Sequence, residues 1–280
     1  MTLTRAGAGK EVPGTVPRGA GPEVRDKGVS DMSVPQTHTD RVAVVTGAGR
    51  GIGQAIAVDL AARGATVVAV DLNSPEETVA LLADKGHPVL GLTGDVSNPD
   101  QTAAVGKEVA DRFGRADILV NNAGICPFLD IEELDYDTWR RVIAVNLDSQ
   151  FLMVKALLPT MKKSGWGRII NVTSNSIVTN APGMSHYMAS KMGNIGFSRG
   201  LANDLAPFGI TVNAVGATLT ITPGVLNAHP QEALTAAAQS QAIKRNGLPE
   251  DLTGTIAFLT SDDAAFVTGQ TIMADGGYAR

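Results

Sequence analysis

The chain has 280 residues, of which 44% are hydrophobic, 18% charged and 4% aromatic, with a formal net charge of −5 at pH 7. The charged share lies below the roughly 25% of an average soluble domain while the apolar share is ordinary, so the bulk of the chain can bury a core and is not a disordered polymer. Net negative charge without a Lys/Arg-rich run argues against nucleic acid or a membrane surface as partner, and no apolar stretch approaches the roughly 18 to 20 residues that span a bilayer.

A single cysteine, Cys126, cannot form an internal disulfide, and with only four scattered histidines no metal site is expected. A free thiol fits a reducing compartment, and a cytoplasmic location is the expectation. Residues 1–40 are rich in Gly and Pro and hold no aromatic residue or isoleucine, so they read as a disordered tail. The remaining residues, 41–280, show no internal linker and are expected to form one domain.

From Arg41 onward, short β-branched runs alternate with helix-length segments. Strands are expected at 42–47, 66–71, 88–96, 117–124, 168–174, 210–215 and 270–277, and helices over stretches such as 52–63, 100–113, 147–163 and 188–206. The strand runs are apolar without strict alternation, as in parallel strands covered on both faces. The expected fold is α/β: a single-domain Rossmann-type, doubly wound parallel sheet of about seven strands with helices on both faces.

The first strand runs into Thr46-Gly47-Ala48-Gly49-Arg50-Gly51-Ile52-Gly53 and then a helix beginning near Ile52. Backbone without a β-carbon can turn tightly and approach a pyrophosphate, which the N–H groups and positive dipole end of the helix then meet. Glycines at 47, 51 and 53 depart from the Gly-x-Gly-x-x-Gly fingerprint, and a ligand-free strand-to-helix turn is the competing reading. The second strand ends in Asp71, 18 residues after Gly53, where a carboxylate can accept hydrogen bonds from the adenosine ribose and repel a 2′-phosphate. Asp71 favours NAD(H) over NADP(H). Arg50 pulls the other way, and an ordinary turn residue is the plainer reading of Asp71.

Only Tyr187 among the three tyrosines is followed four residues later by lysine, Lys191, which on a helix shares its face. A tyrosine with pKa about 10 is a poor base unless nearby positive charge stabilises its phenolate, and Lys191 can supply that charge. Taken alone, the pair is weak and a surface pair is the simpler reading.

The glycine loop, Asn121-Asn122-Ala123-Gly124, Ser174 and Tyr187/Lys191, in this order, together resemble the short-chain dehydrogenase/reductase superfamily, across essentially all of 41–280. The stretches 121–128, 148–155, 164–171 and 252–271 are similar to bacterial NAD-dependent secondary-alcohol dehydrogenases of the phenylethanol dehydrogenase type. The resemblance implies a hydride-transferring oxidoreductase acting between a secondary alcohol and a ketone. Tyr187 would be the general acid/base, Ser174 would hold the substrate oxygen, and Lys191 would lower the tyrosine pKa and bind the nicotinamide ribose. Asn146 would anchor a water-mediated proton relay. Asp95 and Val96 would contact the adenine, Asn122, Ala123 and Gly124 would approach the cofactor, and Thr222 would bind the carboxamide. Such enzymes are homotetramers or homodimers, and the apolar faces of 147–163 and 188–206 agree.

The chain departs from the family where Pro-Gly usually follows the sixth strand: Ala217 and Thr218 stand there, which puts the shape of the nicotinamide-side loop in question. Substrate identity is expected to come from loops at the strand carboxyl ends: Cys126 to Phe128, Asn175 to Met184, and 219–242. Segment 223–245 reads equally as a mobile lid or a surface helix pair. His186 reads as structural or as part of the rim, and Cys126 as a pocket wall. Two alternatives remain: an NADPH-linked 3-oxoacyl-carrier-protein reductase or other carbonyl reductase, and a non-catalytic dinucleotide-binding regulator.

Overall fold

The computed structural model describes residues 34–179 and 182–279. Seven strands, β1 (Val42–Thr46), β2 (Thr66–Asp71), β3 (Val89–Thr93), β4 (Ile118–Asn121), β5 (Gly167–Ser174), β6 (Ile210–Ala217) and β7 (Thr271–Ala274), form one sheet in the order β3-β2-β1-β4-β5-β6-β7. Every pairing is parallel, with Val44 opposite Val68 on one side and Leu119 on the other. The chain winds outward from β1 to β3, returns to lay β4 on the far side of β1, and winds outward again. That reversal opens a crevice beyond the carboxyl ends of β1 and β4, where the glycine loop and the Asn121–Gly124 segment lie.

The helices are α1 (Gly51–Ala62), α2 (Glu76–Ala83), α3 (Pro99–Phe113), α4 (Tyr136–Ile143), α5 (Ser149–Ser164), α6 (Ser185–Leu205), α7 (Pro223–Ala228), α8 (Gln231–Ser240) and α9 (Glu250–Thr260). Alternate residues of β1 serve opposite layers. Ala43 and Val45 pack with Ile56 and Leu60 of α1 and Leu252 and Ile256 of α9. Val42 and Val44 pack with Val109 of α3, Met153 and Leu157 of α5 and Leu205 of α6. Both faces of the strand are therefore covered, which explains its unbroken apolar sequence.

Two expectations change. The expected tail over 1–40 lies outside the described residues as far as Ser33, but residues 34–40 pack on the domain. His38 is 1% exposed, its N–H donates to the Arg63 carbonyl at 3.0 Å, and its Nε2 meets Thr260 Oγ1 at 2.8 Å. Segment composition cannot see one aromatic ring whose nitrogens are satisfied. The second change concerns apolar length: α4, a π-helical turn (Ala144–Asp148) and α5 run on as one helix, Tyr136–Ser164, of 29 residues, long and apolar enough by those measures to cross a membrane. Its apolar residues Val142, Met153, Leu157 and Met161 are buried within the domain, and Asp148 and Lys155 interrupt the run in sequence.

Candidate active site

The strand-to-helix turn after β1 is shaped by contacts that leave no room for side chains. A β-carbon on Gly53 would lie 2.0 Å from the Gly47 carbonyl oxygen and 2.6 Å from Asn122 Nδ2, and Gly47 itself has φ +63°. The Asn122 amide donates to the carbonyls of Thr46 at 3.0 Å and Gly47 at 3.1 Å, so its side chain braces the loop rather than merely ending a strand. Arg50 precedes α1 in extended conformation and no side chain caps the helix. The first N–H groups of α1 are thus left for an anion.

These residues border a cavity of about 350 Å³ lined by Gly47, Arg50, Gly51, Ile52, Gly53, Asp71, Asp95, Val96, Asn122, Ala123, Gly124 and Thr222. One Asp71 carboxylate oxygen accepts from Gly49 N–H at 2.9 Å, which ties the end of β2 to the glycine loop. Arg141 also lines the cavity and pairs with Asp95 at 3.3 Å, a contact sequence reading missed because the two lie 46 residues apart. Although burial works against it, bonds from Ser97 and the Arg141 charge hold the Asp95 carboxyl below its ordinary range. The glycine cradle, the uncapped helix and the carboxylate at the end of β2 fit a dinucleotide.

A second cavity, of about 760 Å³, adjoins the first and shares Ile52, Asn122, Gly124, Ile125, Thr222 and Gly224 with it. Ser174, Tyr187 and Lys191 line it, with Cys126, Phe128, Asn175 and Met184 from the expected loops. Ser174 closes β5, and its Oγ accepts from Ser176 N–H at 3.1 Å. Tyr187 and Lys191 share one face of α6, with the ammonium 5.6 Å from the tyrosine ring centroid. Lys191 Nζ donates to the Val172 carbonyl at 2.8 Å. Burial lowers its pKa to about 8.

At Tyr187 the largest influence is burial. Burial pushes the phenol above its ordinary value, the neighbouring Cys126 adds to this, and the hydrogen bond with Ser174 only partly offsets it. The phenol is protonated at neutral pH, the form suited to giving a proton to a carbonyl oxygen. Burial likewise raises the Cys126 thiol to about 11, against the pull of Lys191, so it lines the wall as a neutral group.

Asn146 lies in the π-helical turn, is 0% exposed and borders neither cavity. Its amide clamps the backbone of Ile125, accepting from the N–H at 2.8 Å and donating to the carbonyl at 2.9 Å. A β-carbon on Gly124 would lie 3.3 Å from Asn146 Oδ1 and 3.6 Å from Lys191 Nζ, so this glycine fills the space between them. His186, expected as structural or as rim, is wholly interior: its Nε2 lies 2.9 Å from the Pro127 carbonyl. Together with the Leu129 N–H bond to the Gly183 carbonyl at 3.1 Å, it fastens the loop bearing Cys126 and Phe128 to the start of α6.

The Ala217-Thr218 replacement is accommodated by hydrogen bonds. Thr218 Oγ1 accepts from Asn175 Nδ2 at 3.3 Å and donates to Gln241 Oε1 at 2.6 Å, and Gln241 Nε2 donates to the carbonyls of Ile243 and Arg245. Asp40 is the sole non-glycine with positive φ among the described residues, so position 218 needs no glycine. Thr222 caps α7, accepting from Val225 N–H at 3.3 Å. Segment 223–245 contains α7 and α8, matching the helix-pair reading.

A family model described as Enoyl-(Acyl carrier protein) reductase matches residues 47–279. The chain is 41% identical over 245 residues to a 3-oxoacyl-(acyl-carrier-protein) reductase of Synechocystis sp., covering 85% of this chain and 97% of that one. It is 38% identical over 253 residues to a D-beta-hydroxybutyrate dehydrogenase of Rhizobium meliloti, covering 85% and 98%. The crystal structure of a putative short-chain alcohol dehydrogenase from Sinorhizobium meliloti superposes with a TM-score of 0.83 at 34% identity, covering 87% and 98%. On its fold, its two adjoining cavities and these relatives, the chain belongs to the short-chain dehydrogenase/reductase family and is an oxidoreductase.

Proposed function

We propose that the protein interconverts a secondary alcohol and a ketone with NAD(H), Tyr187 exchanging the proton with the substrate oxygen. The observation that carries this reading is the meeting of Ser174, Tyr187 and Lys191 on one cavity that opens into the cradle behind the glycine loop. When bound, the nicotinamide supplies or accepts the hydride. Ser174, its Oγ already holding the Ser176 N–H, gives its own proton to the substrate oxygen and orients it toward the phenol. Tyr187, kept protonated by burial, donates to that oxygen as it gains charge in ketone reduction. The Lys191 ammonium beside the ring stabilises the phenolate that remains.

Asp71 supports NAD(H): fastened by Gly49 N–H at the end of β2, it faces the cavity as a carboxylate that repels a 2′-phosphate. We also place the enzyme in the cytoplasm, where a lone thiol stays reduced, and assign it a homotetramer or homodimer. Half-exposed Phe151 on α5 and Met192 on α6, with exposed Phe258 on α9 and Phe266 beyond it, suit burial between subunits. The second reading, an NADPH-linked 3-oxoacyl-carrier-protein reductase, is favoured by the Synechocystis relative and by the exposed Arg50 in the loop.

The test is oxidation of NADH and NADPH with a panel of ketones by the wild type and Tyr187→Phe. Loss of the acid/base group lowers kcat by about 100-fold or more. Equal rates in both proteins would remove Tyr187 from the chemistry, and a preference for NADPH with 3-oxoacyl thioesters would support the second reading.

A further inference from the structure

The substrate cavity is notable for where its charges are. Among the described residues that line it, Lys191 is the one lysine or arginine, and Asp and Glu are absent. Lys191 is 4% exposed, with Nζ 5.6 Å from the Tyr187 ring centroid and bonded to the Val172 carbonyl. It serves the reacting end of the cavity and offers nothing to the part of a substrate beyond the carbonyl.

That far part is bounded by Phe128, Met184, Val225 and alanines of α7 and α8, with the neutral hydroxyls and amide of Thr179, Ser240 and Asn175. The one histidine of the cavity, His229, is engaged: its ring meets the Phe128 edge at 5.3 Å between centroids, and its Nδ1 lies 3.2 Å from the Val225 carbonyl. A carbonyl only accepts, so Nδ1 carries a proton that is already engaged with the backbone.

We infer that the enzyme acts on an uncharged carbonyl compound, or the matching alcohol, whose bulk beyond the reacting carbon is apolar or bears only neutral hydrogen-bonding groups, and that it discriminates against an anion there. This rests on the oxidoreductase reading of the same site. An anion taken from water into this wall finds no lysine or arginine beyond Lys191 to pair with, and desolvation without pairing is strongly unfavourable. The inference separates the chain from its Rhizobium meliloti relative, whose name specifies a hydroxy acid.

The experiment compares kcat/KM with NADH for two matched pairs: 3-oxobutanoate against its methyl ester, and 3-acetylbenzoate against its methyl ester. In the first pair the carboxylate is one methylene from the ketone, which holds the charge near the reacting carbon. Each ester should exceed its acid by about 100-fold or more, the scale of an unpaired buried charge. An acid within tenfold of its ester, in either pair, overturns the inference while leaving the oxidoreductase reading intact. Failure of every ketone and alcohol with both cofactors overturns that reading instead. Ala237→Lys, which adds a cation to the α8 wall, should narrow the 3-acetylbenzoate ratio by about tenfold, and an unchanged ratio in the folded variant also overturns the assignment to pocket charge.

Discussion

The two cavities are built by different means. The cradle behind β1 is largely backbone: glycines where a β-carbon would strike a carbonyl, the free N–H groups of α1, and one carboxylate fastened by a loop amide. The larger cavity beside it is a wall of side chains drawn from the loop after β4, the β5–α6 connection and α7–α8. A cradle of backbone serves one ligand and tolerates little change, whereas a wall of side chains can be refitted to a new substrate without touching the chemistry.

The sharpest way to break this contrast is Gly53→Ala. Its methyl would fall 2.0 Å from a backbone oxygen that cannot swing aside. Overpacking of about 1–3 kcal/mol is expected, so the NADH dissociation constant should rise by about 10- to 100-fold in a fluorescence titration. Unaltered affinity would mean that the loop does not depend on close approach. Next comes Asp71→Ser, which removes the charge that lines the cradle at the end of β2. The ratio of kcat/KM for NADH to that for NADPH should fall by about tenfold or more, since like charges brought together cost several kcal/mol. A ratio that stays constant would shift the cofactor choice to Arg50.

The same contrast governs what could be read from sequence. The glycine loop and Asp71 were singled out by local constraints, a turn that excludes β-carbons and a strand end, whereas Ser174 and the Tyr187/Lys191 pair were singled out by the family resemblance, and folding brings those three to one cavity. The seven strands were legible because two-sided burial leaves unbroken apolar runs. The Arg141–Asp95 pair and the Asn175–Thr218–Gln241 chain were not, because their partners come from distant elements brought together only by folding. The clamp role of Asn146 also escaped, since its target is the backbone of Ile125 and no residue type announces that.

His186 sharpens the comparison from the substrate side. Its Nε2–H holds the Pro127 carbonyl and so positions the loop carrying Cys126 and Phe128. His186→Leu removes one hydrogen bond, about 0.5–1.5 kcal/mol, and should raise the ketone KM by about 3- to 10-fold with little change in kcat or in NADH affinity. His186→Gln, whose amide can still donate, should recover most of the loss. A fall in kcat with unchanged KM in His186→Leu would assign the residue to the chemistry of Tyr187 instead.

His38 borders neither cavity and provides the control. Thr260 Oγ1 already donates to the Ile256 carbonyl at 2.8 Å, so it accepts from His38 Nε2–H, and His38 Nδ1 accepts from Thr37 Oγ1 at 2.9 Å. The neutral ring is thus satisfied on both sides. Burial, reinforced by the Arg63 and Arg41 charges and opposed by Asp59 and Asp262, lowers its pKa to about 4 from 6.5. Because the folded value lies below the unfolded one, the neutral ring contributes its full stabilisation above pH 6.5 and loses it as pH falls through 4. The loss is at most about 3 kcal/mol. Denaturant titrations from pH 7 to pH 4 should show a shallower decline in His38→Gln than in the wild type, with ketone KM and NADH affinity at pH 7 alike in the two. Parallel declines would mean that carboxylates elsewhere carry the acid sensitivity and that the residues before β1 are only loosely held.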